Sequence, residues 1–175
     1  MIPLKIRPAS INDVSSIVAI RLGAFTDEEA AGYIIPGDNM YTSTKKMREM
    51  WGTKNLLEDG SEVFVAEREG RVVGFIVFNM RSIDDNIDNV IVAKAEQGSG
   101  VGKALVEYVE SLAKSRGVDV LRLDTTENVE GVPWRAYGFW IKMGYVDTGE
   151  RVASGYGFKD IRFVKKLRAL EINLI

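Results

Sequence analysis

Eight residues in the middle of the chain have the composition of an anion-binding turn. They run from Gln97 to Ala104, read QGSGVGKA, and lie between the apolar run 90–93 and an amphipathic segment that reaches Arg116. Glycines let a backbone approach an anion closely. The first turn of a helix adds unpaired amide hydrogens and the positive end of the helix dipole. A strand, a glycine-rich turn and a helix in this order favour binding of a phosphate or diphosphate.

Two common phosphate motifs do not fit this stretch. The Walker pattern G-x-x-x-x-G-K-[ST] would need its first glycine at Gln97 and its magnesium-binding hydroxyl at Ala104. The dinucleotide fingerprint G-x-G-x-x-G, counted from Gly98, would need its third glycine at Lys103. The sequence therefore predicts a diphosphate site that is neither a Walker-type nucleotide site nor a dinucleotide site.

Composition narrows the classes of protein that are possible. The chain has 175 residues, of which 46% are hydrophobic and 27% charged, which suits one globular domain. Its formal net charge of −2 provides no general attraction to nucleic acid or to an anionic membrane. We find no apolar run of transmembrane length and no signal-peptide core at the start. The predicted location is the cytoplasm, with neither nucleic acid nor membrane as a partner.

The chain contains neither cysteine nor histidine. Disulfides and thiol nucleophiles are therefore excluded, and so are Ser-His-Asp and Cys-His hydrolytic sites. The commonest zinc ligand is missing as well, so no metal is expected. Acid–base chemistry must come from Asp, Glu, Tyr, Lys, a chain terminus or water.

Periodicity predicts strands and helices in the order β-α-α-β-β-β-α-β-α-β-β. Ser10 and Asp13 resemble a capping box before the first helix, and Glu69-Gly70 is a hairpin turn. Gly117 and Gly144 are expected just after the ends of two helices. The predicted strands are 4–7, 62–67, 72–79, 87–93, 120–125, 145–146 and 161–167, and the predicted helices start near 10, 42, 101 and 136.

This order and three local patterns resemble the GNAT superfamily of N-acetyltransferases from near the N-terminus to about Leu167. Gln97, Gly100 and Gly102 match the family's pyrophosphate-binding signature, [Gln/Arg]-x-x-Gly-x-[Gly/Ala]. The strand pair 63–76 is similar to its second and third strands, and 136–145 is similar to its late signature A-x-x-[LF]-Y-x-x-x-G-F. The resemblance implies a single-domain α/β (α+β) fold with a mixed, mostly antiparallel central sheet flanked by helices. By this resemblance, residues 1–167 would form that domain, and 168–175 would be its C-terminal tail.

The resemblance also implies acetyl-coenzyme A (acetyl-CoA) as co-substrate. In this family strands four and five splay apart, and the pantetheine arm enters the gap and pairs with the fourth strand. The backbone of Val90, Ile91 and Val92 would bind the arm, and a backbone amide there would stabilise the oxyanion. The other predicted cofactor-binding residues are Gln97, Gly98, Ser99, Gly100, Val101, Gly102, Lys103, Asn128 and Trp140.

Proton transfer is the point at which this sequence departs from the family pattern. Trp140 stands where the family usually has the tyrosine that reprotonates the thiolate, and an indole N–H is not an acid at ordinary pH. Tyr137 is the substitute candidate from the same helix. Asp88, which shares strand parity with Val90, and Glu127, at the end of a strand, are candidates for accepting the amine proton. A reaction without a dedicated base or acid stays possible.

The resemblance implies transfer of acetyl to a primary amine by direct attack in a ternary complex. Residues 23–42 and a predicted loop, 149–158, would flank the acceptor, either a small-molecule amine or a peptide amine. Two alternatives stay open: a non-catalytic protein that binds or senses acyl-CoA, and an acyltransferase that uses another acyl-CoA. The oligomeric state expected is monomer or homodimer.

Overall fold

A computed structural model of the chain describes residues 3–24, 60–82, 86–155 and 157–167. The predicted helix that starts near 42, most of the stretch 23–42 and the tail 168–175 lie outside the described residues. Within them, no helix has the length and apolar character needed to cross a membrane.

The described elements follow the order predicted from the sequence. They are β1 (Lys5–Pro8), α1 (Val14–Gly23), β2 (Glu62–Arg68), β3 (Arg71–Phe78), β4 (Ile87–Val92), α2 (Val101–Ser115), β5 (Val120–Glu127), α3 (Ala136–Lys142), β6 (Val146–Gly155) and β7 (Phe158–Lys166). Short 3₁₀ turns occupy Ile11–Asp13 and Lys94–Glu96.

The strands form two antiparallel sheets that meet at one point. One sheet has the order β1-β2-β3-β4 and the other the order β5-β7-β6. They join at Asn86, whose backbone N–H donates to the carbonyl of Arg122 at 2.8 Å. The side-chain oxygen of Asn86 accepts the N–H of Arg122 at 2.9 Å. Beyond this joint the described residues of β4 and β5 pair with β3 and β7 instead, so β4 and β5 splay as predicted.

β2 and β3 are buried on both faces, which explains their continuous apolar sequences. Along β3, Phe75 and Val77 pack with Ile17 of α1, whereas Ile76 and Phe78 pack with Leu105 of α2. The sheet of β1 to β4 is thus covered by α1 on one face and by α2 on the other, a mixed α+β arrangement that confirms the predicted fold class.

Glycine positions confirm the predicted turns. Glu69 and Gly70 have φ of 51° and 73°, the left-handed values that a two-residue hairpin turn of type I′ requires. Gly144, with φ of 82°, follows α3. There the N–H of Tyr145 bonds to the carbonyl of Trp140 at 3.0 Å, which is the Schellman pattern for a helix end.

The predicted loop 149–158 is wrong, because most of it is β-strand. β6 and β7 form a hairpin in which Asp147 pairs with Phe163 and Arg151 with Ile161, leaving three residues of β6 out of register. Gly149 lies in this bulge with φ of 81°. A bulge can contain a glycine of left-handed conformation while the strand continues. In the sequence alone, a glycine at such a position indicates a loop.

The carboxylate of Asp13, directly before α1, makes the stability of the fold depend on pH. Asp13 is 6% exposed, and its carboxylate accepts bonds from Arg7 at 2.8 and 2.9 Å and from the Ser10 N–H at 2.7 Å. These bonds, that from Arg7 above all, lower the pKa of Asp13 from 3.8 to about 2. A carboxyl whose pKa is depressed by folding stabilises the fold above its unfolded pKa, and this stability is lost as pH falls through the folded pKa.

We therefore expect Asp13→Asn to make the free energy of unfolding less dependent on pH in the acidic range. The wild-type free energy of unfolding should lose about 2 kcal/mol through this group between roughly pH 5 and pH 2, and the variant should not show that loss. Denaturant titrations across this pH range measure it. Glu69→Gln, which alters a 53% exposed carboxylate paired with Arg71, is the matched control and should keep the wild-type slope. Equal slopes for Asp13→Asn and wild type would contradict the assignment.

Candidate active site

The glycine-rich turn leaves the start of α2 open to an anion. Gly98 and Gly100 have φ of 80° and 88°, a conformation that side-chain-bearing residues rarely adopt. Gly100 is the N-cap residue of α2, and no side chain of the described residues caps the helix there. The amides of Val101, Gly102 and Lys103 therefore have no partner from helix geometry and face outward at the positive end of the dipole.

Hydrogen bonds fix the turn to β4. The side-chain amide of Gln97 donates to the carbonyl of Val92 at 3.2 Å. The hydroxyl of Ser99 donates to the carbonyl of Glu96 at 2.7 Å, and the carboxylate of Glu96 is paired with Arg68. Gln97 and Ser99 therefore hold the shape of the turn.

A cavity of about 450 Å³, called here the loop cavity, opens between this turn, β4 and α3. Eight of the predicted cofactor-binding residues line it: Val90, Ile91, Val92, Gln97, Gly98, Gly100, Gly102 and Lys103. A Cβ atom on Gly102 would lie 3.6 Å from Val92 and 3.7 Å from Phe139. Alanine would thus fit at Gly102, as the [Gly/Ala] position of the signature allows.

The electrostatics of the loop cavity favour an anion. The cations Lys103 and Arg135 line it. Glu96 also lines it, but its charge is compensated by Arg68. Lys103 is 65% exposed and 3.7 Å from Glu107, a surface pair too weak to immobilise it. With the uncapped helix, these charges suit a diphosphate.

A second cavity of about 190 Å³, called here the strand cavity, lies between β4 and β5. It shares Val90, Ile91, Trp134 and Ala136 with the loop cavity, so the two meet at the gap between the splayed strands. The charged residues Asp88, Asp124 and Arg21 line it. Arg162, 3.3 Å from Asp124, pairs with that carboxylate.

Asp88 is separated in the structure from Glu127 and Tyr137, which are connected to each other through the ion pair of Arg151 with Asp147. Asp88 lines the strand cavity, whereas Glu127 and Tyr137 lie outside the lining of both cavities. Glu127 is 9% exposed and pairs with Arg151 at 3.2 Å. The Tyr137 hydroxyl donates to Asp147 at 3.1 Å, a bond that raises the pKa of Tyr137. Their catalytic roles stay predictions, of which Asp88 has the most suitable position.

Four predicted cofactor-binding residues lie apart from the lining of the loop cavity, and one of them is Ser99, whose hydroxyl bonds within the glycine turn as described above. The side-chain oxygen of Asn128 accepts N–H groups of Glu130 at 3.0 Å and Val132 at 2.9 Å, and so shapes its own loop. Val101 is 1% exposed and packs in the core, which leaves its backbone amide for ligand binding. Trp140 is 6% exposed and lines the strand cavity instead. Their cofactor contacts stay predictions.

Sequence reasoning missed Trp134, Arg135 and Phe139 as lining residues. Arg135 donates to the carbonyl of Ala24 at 3.0 Å and to the side-chain oxygen of Gln97 at 3.3 Å, although these partners are 111 and 38 residues away. The one local signal was a basic residue directly before the predicted helix at Ala136. Across the described residues no three His, Cys, Asp or Glu side chains cluster to hold a metal.

Comparison with known proteins completes the description of the site. The family model of the acetyltransferase (GNAT) domain matches residues 59–147, a little more than half of the chain. A GCN5-related N-acetyltransferase from Rhodopseudomonas palustris has a TM-score of 0.70 and 24% identity, covering 95% of this chain and 98% of its own. PaiA N-acetyltransferase from Thermoplasma acidophilum, in complex with coenzyme A, has a TM-score of 0.68 and 19% identity, covering 94% and 99%. The chain belongs to the GNAT acetyltransferase family.

Proposed function

We propose that this protein transfers an acetyl group from acetyl-CoA to a primary amine. The observation that carries the proposal is the meeting of two cavities at the gap between β4 and β5. One cavity has an anion-binding turn at its edge, and the other opens beside the same strand. Donor and acceptor can thus approach each other from two sides.

The donor is held mainly through its diphosphate in this proposal. The amides of residues 98–103 and the charge of Lys103 bind the phosphates. The pantetheine arm lies along β4 and uses the backbone groups of Val90, Ile91 and Val92 that face the gap. The adjoining aromatic rings of Trp134 and Phe139 cover the apolar part of the arm.

The acceptor attacks from the strand cavity. The amine nitrogen forms a bond to the thioester carbon, the C–S bond breaks, and the thiolate leaves. A backbone N–H of β4 donates to the carbonyl oxygen as negative charge develops there, an effect often worth roughly 10²–10³ in rate. Asp88 accepts the amine proton directly or through water. The thiolate, with a solution thiol pKa near 8.5, takes a proton from water.

The class of acceptor proposed is a small-molecule or peptide amine. Asp88 and Asp124 line the strand cavity together with Arg21. The carboxylate of Asp88 attracts a protonated amine, whereas Asp124 is paired with Arg162. Arg21 can bind an acidic group elsewhere on the same acceptor.

A second candidate function is binding of acyl-CoA without catalysis. Two observations favour it: Trp140 occupies the family's tyrosine position, and the Tyr137 hydroxyl is engaged by Asp147. Transfer of a longer acyl group is a further variant of the leading proposal, because the glycine turn contacts the coenzyme's phosphates and not the acyl chain.

Thiol release from acetyl-CoA in the presence of an amine panel tests the proposal. We expect release that depends on the amine, with one acetylated product for each thiol. Coenzyme A binding by calorimetry without release for any amine would favour the non-catalytic alternative. Faster release from propionyl-CoA or succinyl-CoA than from acetyl-CoA would instead indicate another acyl donor.

A further inference from the structure

The guanidinium of Arg135 lies where three parts of the loop cavity meet. It donates through one nitrogen to the carbonyl of Ala24, directly after α1, at 3.0 Å. Through another nitrogen it donates to the side-chain oxygen of Gln97, in the glycine turn, at 3.3 Å. Arg135 itself directly precedes α3 and lines the cavity. One side chain thus connects α1, the glycine turn and α3.

Gln97 extends this connection to a fourth part of the cavity. Its oxygen accepts from Arg135 while its nitrogen donates to the carbonyl of Val92, the last residue of β4, at 3.2 Å. An amide used at both ends holds one orientation. The position of the turn relative to β4 is therefore set jointly by Arg135 and Gln97, called here the Arg135–Gln97 link.

The planar shape of arginine is what makes this link possible. Its guanidinium carries five N–H donors in a fixed fork, so that it can reach two carbonyl oxygens in different directions at once. Its central carbon lies 5.1 Å from the centroid of the Trp134 ring, a cation–π contact that limits rotation of the fork. A lysine would keep the charge but not the fork.

We propose that Arg135 is a positioning residue for the coenzyme: through the Arg135–Gln97 link it holds the glycine turn where its amides bind the diphosphate. The inference rests on the proposed function and adds a residue to it. An uncapped helix start binds an anion well only if the turn before it is held in place, because ordering the turn during binding would cost affinity.

The test is calorimetric binding of coenzyme A to single and double variants. We expect Arg135→Gln to weaken binding at least tenfold, because it removes charge-assisted bonds. Arg135→Lys should lose nearly as much, because the fork is lost. Gln97→Ala should also weaken binding, and the double variant Arg135→Gln with Gln97→Ala should be within threefold of the weaker single variant. With acetyl-CoA as donor, Arg135→Gln should raise KM and leave kcat within threefold.

The control is Arg71→Gln, which removes an arginine that is 75% exposed beside the β2–β3 turn and should bind coenzyme A like wild type. Thermal melting checks that each variant is folded. Wild-type affinity for coenzyme A in Arg135→Gln or in Arg135→Lys would overturn the inference. It would also be overturned if the loss of affinity in the double variant equalled the product of the two single losses, because the two residues would then act independently. If the wild-type protein does not bind coenzyme A at all, the proposed function fails as well. Normal wild-type binding with unaffected variants rejects only the role of Arg135.

Discussion

Gly100→Glu should reduce coenzyme A binding by at least a hundredfold. Gly100 has φ of 88° and is the N-cap of α2, so the new carboxylate would stand at the uncapped amides where the diphosphate is proposed to bind. A carboxylate there satisfies the helix start itself and repels phosphate. The left-handed backbone adds strain of roughly 1–2 kcal/mol. Calorimetric titration with coenzyme A measures the loss.

Gly117→Glu is the matched control for that variant. Gly117 also has a left-handed φ, 83°, and a Cβ atom added to it would meet no atom of the described residues within 4 Å. It follows the opposite end of α2, a helix of 15 residues that is about 22 Å long. Binding should persist in Gly117→Glu and disappear in Gly100→Glu. Tight binding in Gly100→Glu would remove the glycine turn from the proposed site, and equal loss in both variants would trace the effect to strain.

Trp140→Ala should lower the free energy of unfolding by about 3–5 kcal/mol, a large part of the roughly 5–15 kcal/mol typical of a domain. The Trp140 ring is packed edge-to-face on Phe139 at 4.9 Å and on Tyr145 at 5.2 Å between centroids. Removing it deletes both aromatic contacts and leaves a cavity, because the surrounding sheet and helices cannot collapse fully. Denaturant unfolding measures the change.

Ile141→Ala on the same helix is the control, because Ile141 is 47% exposed and its loss should cost about 0.5 kcal/mol or less. A small effect of Trp140→Ala would mean that the indole is not a packing residue. Its position at the family's tyrosine site would then need a functional reason. A large effect would explain the tryptophan by packing against Tyr145 and Phe139.

Local patterns predicted most of the fold. Left-handed glycines mark the turns at Gly70 and Gly144 because side-chain-bearing residues rarely adopt that conformation. The two-sided burial of β2 and β3 follows from their continuous apolar sequences. Gly149 shows the limit of this reasoning: its left-handed φ lies in a bulge, and only pairing with β7 distinguishes a bulge from a loop.

The candidate site was predicted only where the residues that form it are close together in the sequence. The turn Gln97–Lys103 could be found because the residues that shape it are neighbours in the sequence. The strand cavity could not, since it requires β4 and β5 to separate after the joint at Asn86. Glu127 is another example: as the last residue of a strand it was a candidate base, and in the fold it pairs with Arg151.

The sequence by itself thus determined the order of the elements, the anion-binding turn and the family resemblance. These depend on periodicity and backbone conformation within short stretches, where few alternatives compete. Only the tertiary structure decided that Arg135 meets Ala24, 111 residues away, that Asp88 lines a cavity, and that Tyr137 turns to Asp147. Such contacts depend on how distant elements pack, and no short stretch of sequence contains that information.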